Sequence, residues 1–167
     1  MNDRVSLTSA LSKERLRVWL RMLKATRAIE AELRERMRLT FDTTLPRFDV
    51  LAALARNPAG LRMSELSGTL RVSNGNVTGI VERLVGDGWV RREAVEGDRR
   101  SSRVRLTGEG RARFGEMAAI HEAWVDELLS PIGAQGLETI LTRLARITDR
   151  GADGGTDRAV DLGTDER

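Results

Sequence analysis

Apolar residues along this chain recur mainly at helical intervals, with one interruption of strand character near residue 90. From Ser12 to Leu39, Leu16, Trp19, Leu20 and Leu23 form one stripe, and Val18, Met22, Ala25, Ile29, Leu33 and Met37 form a second beside it. So wide an apolar arc exceeds what one small neighbouring element can cover. Phe41-Asp42-Thr43-Thr44 reads as a short loop, and Pro46 falls in a first helical turn, where its missing N–H is tolerated. Phe48, Leu51, Ala52, Leu54 and Ala55 give that helix a buried face, and Asn57-Pro58-Ala59-Gly60 ends it. Leu61-Arg62-Met63 can add a short strand before a brief helix, Ser64 to Leu70. Behind Ser73, a natural N-cap, Val77, Ile80, Val81 and Leu84 fall at i, i+3, i+4 and i+7. Gly86-Asp87-Gly88 stops this helix, Trp89-Val90 begins a strand, Glu96-Gly97-Asp98 signals a turn, and Arg103-Val104-Arg105-Leu106 alternates as a half-buried strand does. Thr107 caps a long helix bearing Phe114, Met117, Ala118, His121, Trp124, Val125 and Leu128, which Ser130-Pro131 breaks. A last helix, Ala134 to Thr148, carries Leu137, Ile140, Leu141, Leu144 and Ile147 close to a heptad seam.

Composition narrows the class. A chain of 167 residues with 40% hydrophobic and 32% charged residues is expected to be a soluble domain able to bury a core. It has no cysteine, so disulfides, thiolate metal sites and thiol-based sensing are excluded. No apolar run is long enough for a membrane span and no signal-peptide pattern opens the chain, which makes the cytoplasm the expected location. The net charge of +3 is unevenly spread: residues 150–167 hold three arginines and five acids, leaving +5 on residues 1–149. That Gly- and Asp-rich end has little to bury, so disorder is expected for 150–167, and a flexible arm for residues 1–11.

The chemistry concentrates between Ser73 and Thr107. Opposite its apolar stripe the 73–85 helix carries Asn74, Gly75, Asn76, Thr78, Gly79 and Arg83. Asn and Arg have the forked donors and acceptors that match adenine and guanine edges in a major groove. The glycines each cost a helix about 1 kcal/mol against alanine, a cost that close approach to another molecule would explain. From Arg91 to Arg105 lie six arginines (91, 92, 99, 100, 103, 105) against Glu93, Glu96 and Asp98. Arginines at a hairpin tip suit phosphates and the negative potential of a narrow minor groove. Most charge runs are only solvated faces, but this one adjoins a candidate recognition helix. The 64–70 and 73–85 helices, joined across Arg71-Val72, have the proportions of a helix-turn-helix.

These residues carry a resemblance. Asp98-Arg99-Arg100-Ser101, followed by Val104-Arg105-Leu106-Thr107-x-x-Gly110, resembles the wing signature of the MarR family of bacterial winged-helix regulators. Ser73-Asn74-Gly75-Asn76-Val77-Thr78 and Arg83-Leu84 match that family's recognition helix in placement and pattern, and the likeness spans roughly Lys13 to Asp149. It implies a mostly α fold with a small β-hairpin wing: a winged helix-turn-helix DNA-binding lobe (46–106) flanked by dimerisation helices (12–39 and 107–149) within one domain, 12–149. It further implies a homodimer on a palindromic operator, released by a small and frequently aromatic effector. Ser73, Asn74, Asn76, Thr78, Arg83, Arg99, Arg100 and Arg103 are then the expected DNA contacts, with Asp98 orienting the wing through a nearby arginine. An effector pocket between the lobe and the dimerisation helices would draw on Trp19, Phe48, His121 and Trp124. The 43–51 run and His121-Glu122-x-Trp124 are similar to regulators of aromatic-acid breakdown, including ones that sense aromatic acyl-CoA thioesters.

Other chemistry has little support. His121 is the only histidine, and one imidazole without cysteine or matched carboxylates makes a metal site improbable. On an apolar helix face it is either a satisfied core histidine or a polar anchor in a pocket. No catalytic triad context, phosphate-binding glycine loop or paired-carboxylate motif occurs, so an enzyme is not expected. The resemblance implies a ligand-responsive repressor of aromatic-compound catabolism or efflux genes. The alternatives are a winged-helix protein-interaction module without sequence-specific DNA binding, and a small-molecule binder whose DNA contact is vestigial.

Overall fold

The structure, a computed structural model, describes residues 2–70, 73–95 and 98–153. It divides into two compact units, one ending at Glu127 and one beginning at Leu128. The first contains helix α1 (Asn2–Phe41), α2 (Leu45–Arg56), strand β1 (Leu61–Arg62), α3 (Met63–Leu70), α4 (Asn74–Gly86), β2 (Val90–Val95), β3 (Asp98–Leu106) and most of α5 (Gly108–Leu129). The second holds the end of α5 and α6 (Ala134–Asp153).

α1 stops where Asp42 takes a left-handed φ of 49°, which a helix cannot propagate. Thr44 then N-caps α2, accepting from the Arg47 N–H at 3.4 Å, and Pro46 occupies the first turn as expected. α2 is buried nearly all round, at Leu45, Phe48, Val50, Leu51, Ala52, Ala53 and Leu54, and an apolar surface that wraps a helix marks a core element. Around it close Leu33 and Met37 of α1, Leu66 of α3, Val77, Val81 and Leu84 of α4, Val90, Val104 and Leu106 of the sheet, and Met117 of α5. Arg36 forks onto the Glu127 carboxylate at 2.6 and 3.1 Å while its Nε donates to Glu32 at 2.8 Å, fastening α1 to α5.

The sheet is antiparallel in the order β1-β3-β2, with Leu61 opposite Val104 and Val90 opposite Leu106. Its root explains the Thr-x-x-Gly that ends the wing signature. The Thr107 hydroxyl donates to the Gly88 carbonyl at 2.8 Å and accepts from the Gly110 N–H at 2.9 Å, so one side chain caps α5 and ties it to the end of α4. Gly110 lies against the backbone of Trp89, whose carbonyl oxygen would stand 1.9 Å from any added Cβ. Gly60 is similarly constrained, with φ of +81° and a Cβ position 2.3 Å from Arg105 Cγ.

Three expected boundaries move. Residues 2–11, read as a flexible arm, continue α1, because no glycine or proline there interrupts helical hydrogen bonding. Met63 begins α3 instead of extending β1. α6 runs through Gly151 to Asp153, past the expected end at Thr148 and into the stretch expected to be disordered; the rest of the tail, 154–167, lies outside the described residues. So do the Arg71-Val72 connector and the Glu96-Gly97 turn.

Candidate nucleic-acid interface

α4 separates its two faces cleanly. Val77, Val81 and Leu84 are fully buried, whereas Gly75, Asn76, Gly79, Glu82 and Arg83 are exposed and Thr78 is half-buried. Ser73 holds the N-cap position with extended backbone (φ −62°, ψ 146°), but its hydroxyl makes no capping bond. The Ser73 carbonyl accepts the first intrahelical bond, from the Val77 N–H at 3.2 Å. The side chain of Asn74 lies outside the described residues.

The wing arginines divide into root and tip. At the root, Arg105 donates from Nε to the Pro58 carbonyl at 3.0 Å and pairs with Glu93 at 3.3 Å, while Arg91 holds the same carboxylate at 2.8 Å. Partial desolvation pushes the Glu93 carboxyl upward, but Arg105 and Arg91 outweigh it and keep it below the usual carboxylate range. Arg103, expected to touch DNA, donates to the Ala59 carbonyl at 3.3 Å. The reason is register: β3 runs beside β1, opposite Arg62, which carries the Arg103 guanidinium over the 57–60 turn. Arg92 lies 4.0 Å from Glu82 of α4, linking wing and helix. At the tip, β3 begins with Asp98, Arg99 and Arg100, whose side chains lie outside the described residues.

Where α4 meets the wing, Trp89 is flanked by two cations, Arg47 of α2 at 5.2 Å and Arg113 of α5 at 5.6 Å from its ring centre. Arg47 also forms an ion pair with Asp87, the C-cap residue of α4. The sequence reading missed this junction. Trp89 after a helix stop was the one available signal, and nothing linear links it to Arg47 or Arg113.

Of the expected effector residues, Phe48 and His121 are brought together, stacked at 4.6 Å, with Phe114 at 5.5 Å from Phe48. Burial pushes the His121 imidazole below its ordinary value, and the Asp49 carboxylate partly restores it. Trp124 pairs with Phe41 at 6.0 Å. Trp19 is not part of this group within one chain: it lies on α1 roughly 33 Å from Phe41 at 1.5 Å rise per residue, and it is 51% exposed. A cleft of about 460 Å³ opens elsewhere, along the exposed strip of α4, lined by Pro46, Asp49, Leu70, Asn76, Ile80 and Arg83. Among the described residues no His/Cys/Asp/Glu cluster could hold a metal ion, and no helix is long and apolar enough to cross a membrane.

Comparison with known proteins agrees with this arrangement. Residues 41–101 match a family model described as the MarR family. The HTH-type transcriptional regulator PecS of Dickeya dadantii is 33% identical over 102 residues, a match covering 60% of this chain and 61% of PecS. The crystal structure of a MarR family transcriptional regulator from Silicibacter pomeroyi is 33% identical, with a TM-score of 0.69 over 83% of this chain and 96% of that one. Sco3205, a MarR family transcriptional regulator from Streptomyces coelicolor solved in complex with DNA, superposes with a TM-score of 0.75 at 26% identity, covering 86% of this chain and 94% of that one.

Proposed function

The chain belongs to the MarR family of DNA-binding transcriptional regulators, and from that premise we propose that it acts as a cytoplasmic, ligand-responsive repressor that binds a palindromic operator as a homodimer. The observation that carries this reading is α4, whose apolar seam is spent on the core while Asn76, Gly79 and Arg83 face outward beside a basic wing. The two recognition helices enter successive major grooves about 34 Å apart. Ser73, Asn74, Asn76, Thr78 and Arg83 contact bases or nearby phosphates, and Arg99 and Arg100 reach the flanking minor groove, with Asp98 orienting the hairpin. Arg103, one nitrogen of which donates to the Ala59 carbonyl, is assigned in this proposal to the wing root.

Dimerisation uses the N-terminal half of α1, Trp19 included, and α6, whose apolar residues are exposed in the single chain. The effector is a small aromatic acid or an aromatic acyl-CoA thioester held near Phe48, His121 and Trp124. Its binding favours a dimer whose half-site spacing no longer fits the operator, which requires tighter binding to that state than to the DNA-bound one. The target genes on this reading serve aromatic-compound breakdown or efflux.

The test is selection of duplexes from a random-sequence library by the full chain, followed by mobility shift with and without hydroxycinnamates, benzoates and their CoA thioesters. An inverted repeat with half-site centres about one helical turn apart, released by one of these compounds, supports the proposal. Enrichment of no sequence would favour a winged-helix protein-interaction module instead.

A further inference from the structure

Gly75 and Gly79 stand on one line of α4. At 100° per residue they fall within about 40° of each other and across the helix from Val77 and Leu84, which are fully buried. A glycine inside a helix is unfavourable relative to alanine, and the usual reasons to keep one are internal crowding or a left-handed backbone. Neither holds at these two positions. A Cβ built on Gly75 or Gly79 meets no atom of the chain within 4 Å, whereas at Gly110 and Gly60 it would lie 1.9 and 2.3 Å from a neighbour. Neither residue has a positive φ; among the described glycines that belongs to Gly60 and Gly88. Gly115 shares that open space, so what sets Gly75 and Gly79 apart is their place on the strip that also presents Asn76 and Arg83, beside the wing.

We infer that Gly75 and Gly79 are specificity-determining positions: by omitting a side chain they let the backbone of α4 pack against base-pair edges. Asn76 and Arg83 then reach the bases at hydrogen-bonding distance instead of stopping at the phosphates. A methyl group at either position holds the helix off by about an ångström or more, and hydrogen bonds optimal near 2.9 Å fail over that range. Phosphate contacts made by long arginines adapt to such a shift, so discrimination between sequences is lost before general affinity for DNA. This inference rests on the regulator reading above.

The experiment compares Gly75→Ala, Gly79→Ala and a control, Gly115→Ala, in the full chain. Gly115 is an exposed glycine inside α5 whose Cβ also meets open space. All three substitutions are expected to raise the melting temperature by roughly 2–4 °C through helix propensity. Fluorescence anisotropy then uses the duplex selected by the wild-type protein and a scrambled duplex of equal length. Gly75→Ala and Gly79→Ala should weaken binding to the selected duplex about tenfold or more and leave the scrambled duplex unaffected, while Gly115→Ala changes neither. Undiminished binding of the selected duplex by both recognition-helix variants overturns the inference and leaves the regulator reading intact. Equal losses on both duplexes also overturn it. If the wild-type protein selects no sequence at all, the regulator reading falls first and this inference with it.

Discussion

α2 and α6 are both helices rich in leucine and alanine, yet their apolar residues meet opposite fates. In α2, Leu45, Phe48, Leu51 and Leu54 are at most 9% exposed, whereas Leu141 and Ile147 of α6 remain 69% and 63% exposed. The N-terminal half of α1 behaves like α6, leaving Leu11, Leu16, Val18, Trp19 and Leu20 more than half exposed, although Leu33 and Met37 further along the same helix are buried. Periodicity states that a face must be covered; it does not state which chain covers it. Soluble proteins rarely leave extended apolar faces open, and two-fold pairing of chains would cover both. The sharpest way to break this comparison is Leu141→Glu. Because Leu141 is already exposed in the single chain, the fold should survive by circular dichroism. A dimer contains the leucine twice, so the loss of about 1.5–3 kcal/mol for each buried copy raises the dissociation constant by about two orders of magnitude or more. Sedimentation velocity checks this, and an unaffected dimer would move the interface away from α6.

The lobe around α2 is the opposite case, closed by its own chain, and the Gly110 contact tests how tightly. Alanine at this position places a methyl group against the Trp89 carbonyl and must push α5 away from the wing root. Overpacking of this kind is expected to lower unfolding free energy by about 3 kcal/mol, read from urea midpoints. Full stability in Gly110→Ala would mean that α5 slides freely over the root. The junction of Thr107, Gly88 and Trp89 would then not fix the recognition helix against α5.

This contrast also explains what could be read from the chain beforehand. The helices, the hairpin and the exposed face of α4 follow from local periodicity and turn chemistry, so the winged helix-turn-helix was legible from Val77, Val81, Leu84 and the Thr107-x-x-Gly110 ending. Contacts between distant segments were not. Nothing local tells that Arg103 reaches the Ala59 carbonyl or that Arg47 and Arg113 flank Trp89. Residue type alone places Trp19 with Phe48 and Trp124, whereas the unbroken length of α1 separates Trp19 from Phe41 and its partner Trp124.

The wing invites the same division on a smaller scale, between a root bonded to its own chain and a tip proposed to contact DNA. Arg100→Ala is expected to weaken binding to the selected duplex by about 1–3 kcal/mol if the tip enters a groove. Arg103→Ala should instead remove about 1 kcal/mol of unfolding free energy, one hydrogen bond to the 57–60 turn, and leave duplex affinity near that of the wild type. Anisotropy and urea titration of the two variants separate these outcomes. A loss of affinity in Arg103→Ala as large as in Arg100→Ala would erase the distinction between root and tip.

The smallest effect lies at His121, where α5 still belongs to the closed lobe. Burial against Phe48 lowers the folded-state imidazole pKa below its unfolded value of about 6.5, with Asp49 opposing. The unfolded chain therefore binds a proton more readily between those two values. Stability from this group is fully present above about pH 6.5 and is lost as pH falls through the window down to the folded-state pKa. His121→Phe keeps an aromatic ring on Phe48 and removes the titrating nitrogen, so the difference in unfolding free energy between wild type and variant should change between about pH 7.5 and pH 5.5. The wild type should lose the more of the two on acidification. A difference that stays constant across that range would mean that His121 is as well hydrated in the folded chain as in the unfolded one. The Phe48 stack would then be an open, solvated pocket wall instead of part of the closed core.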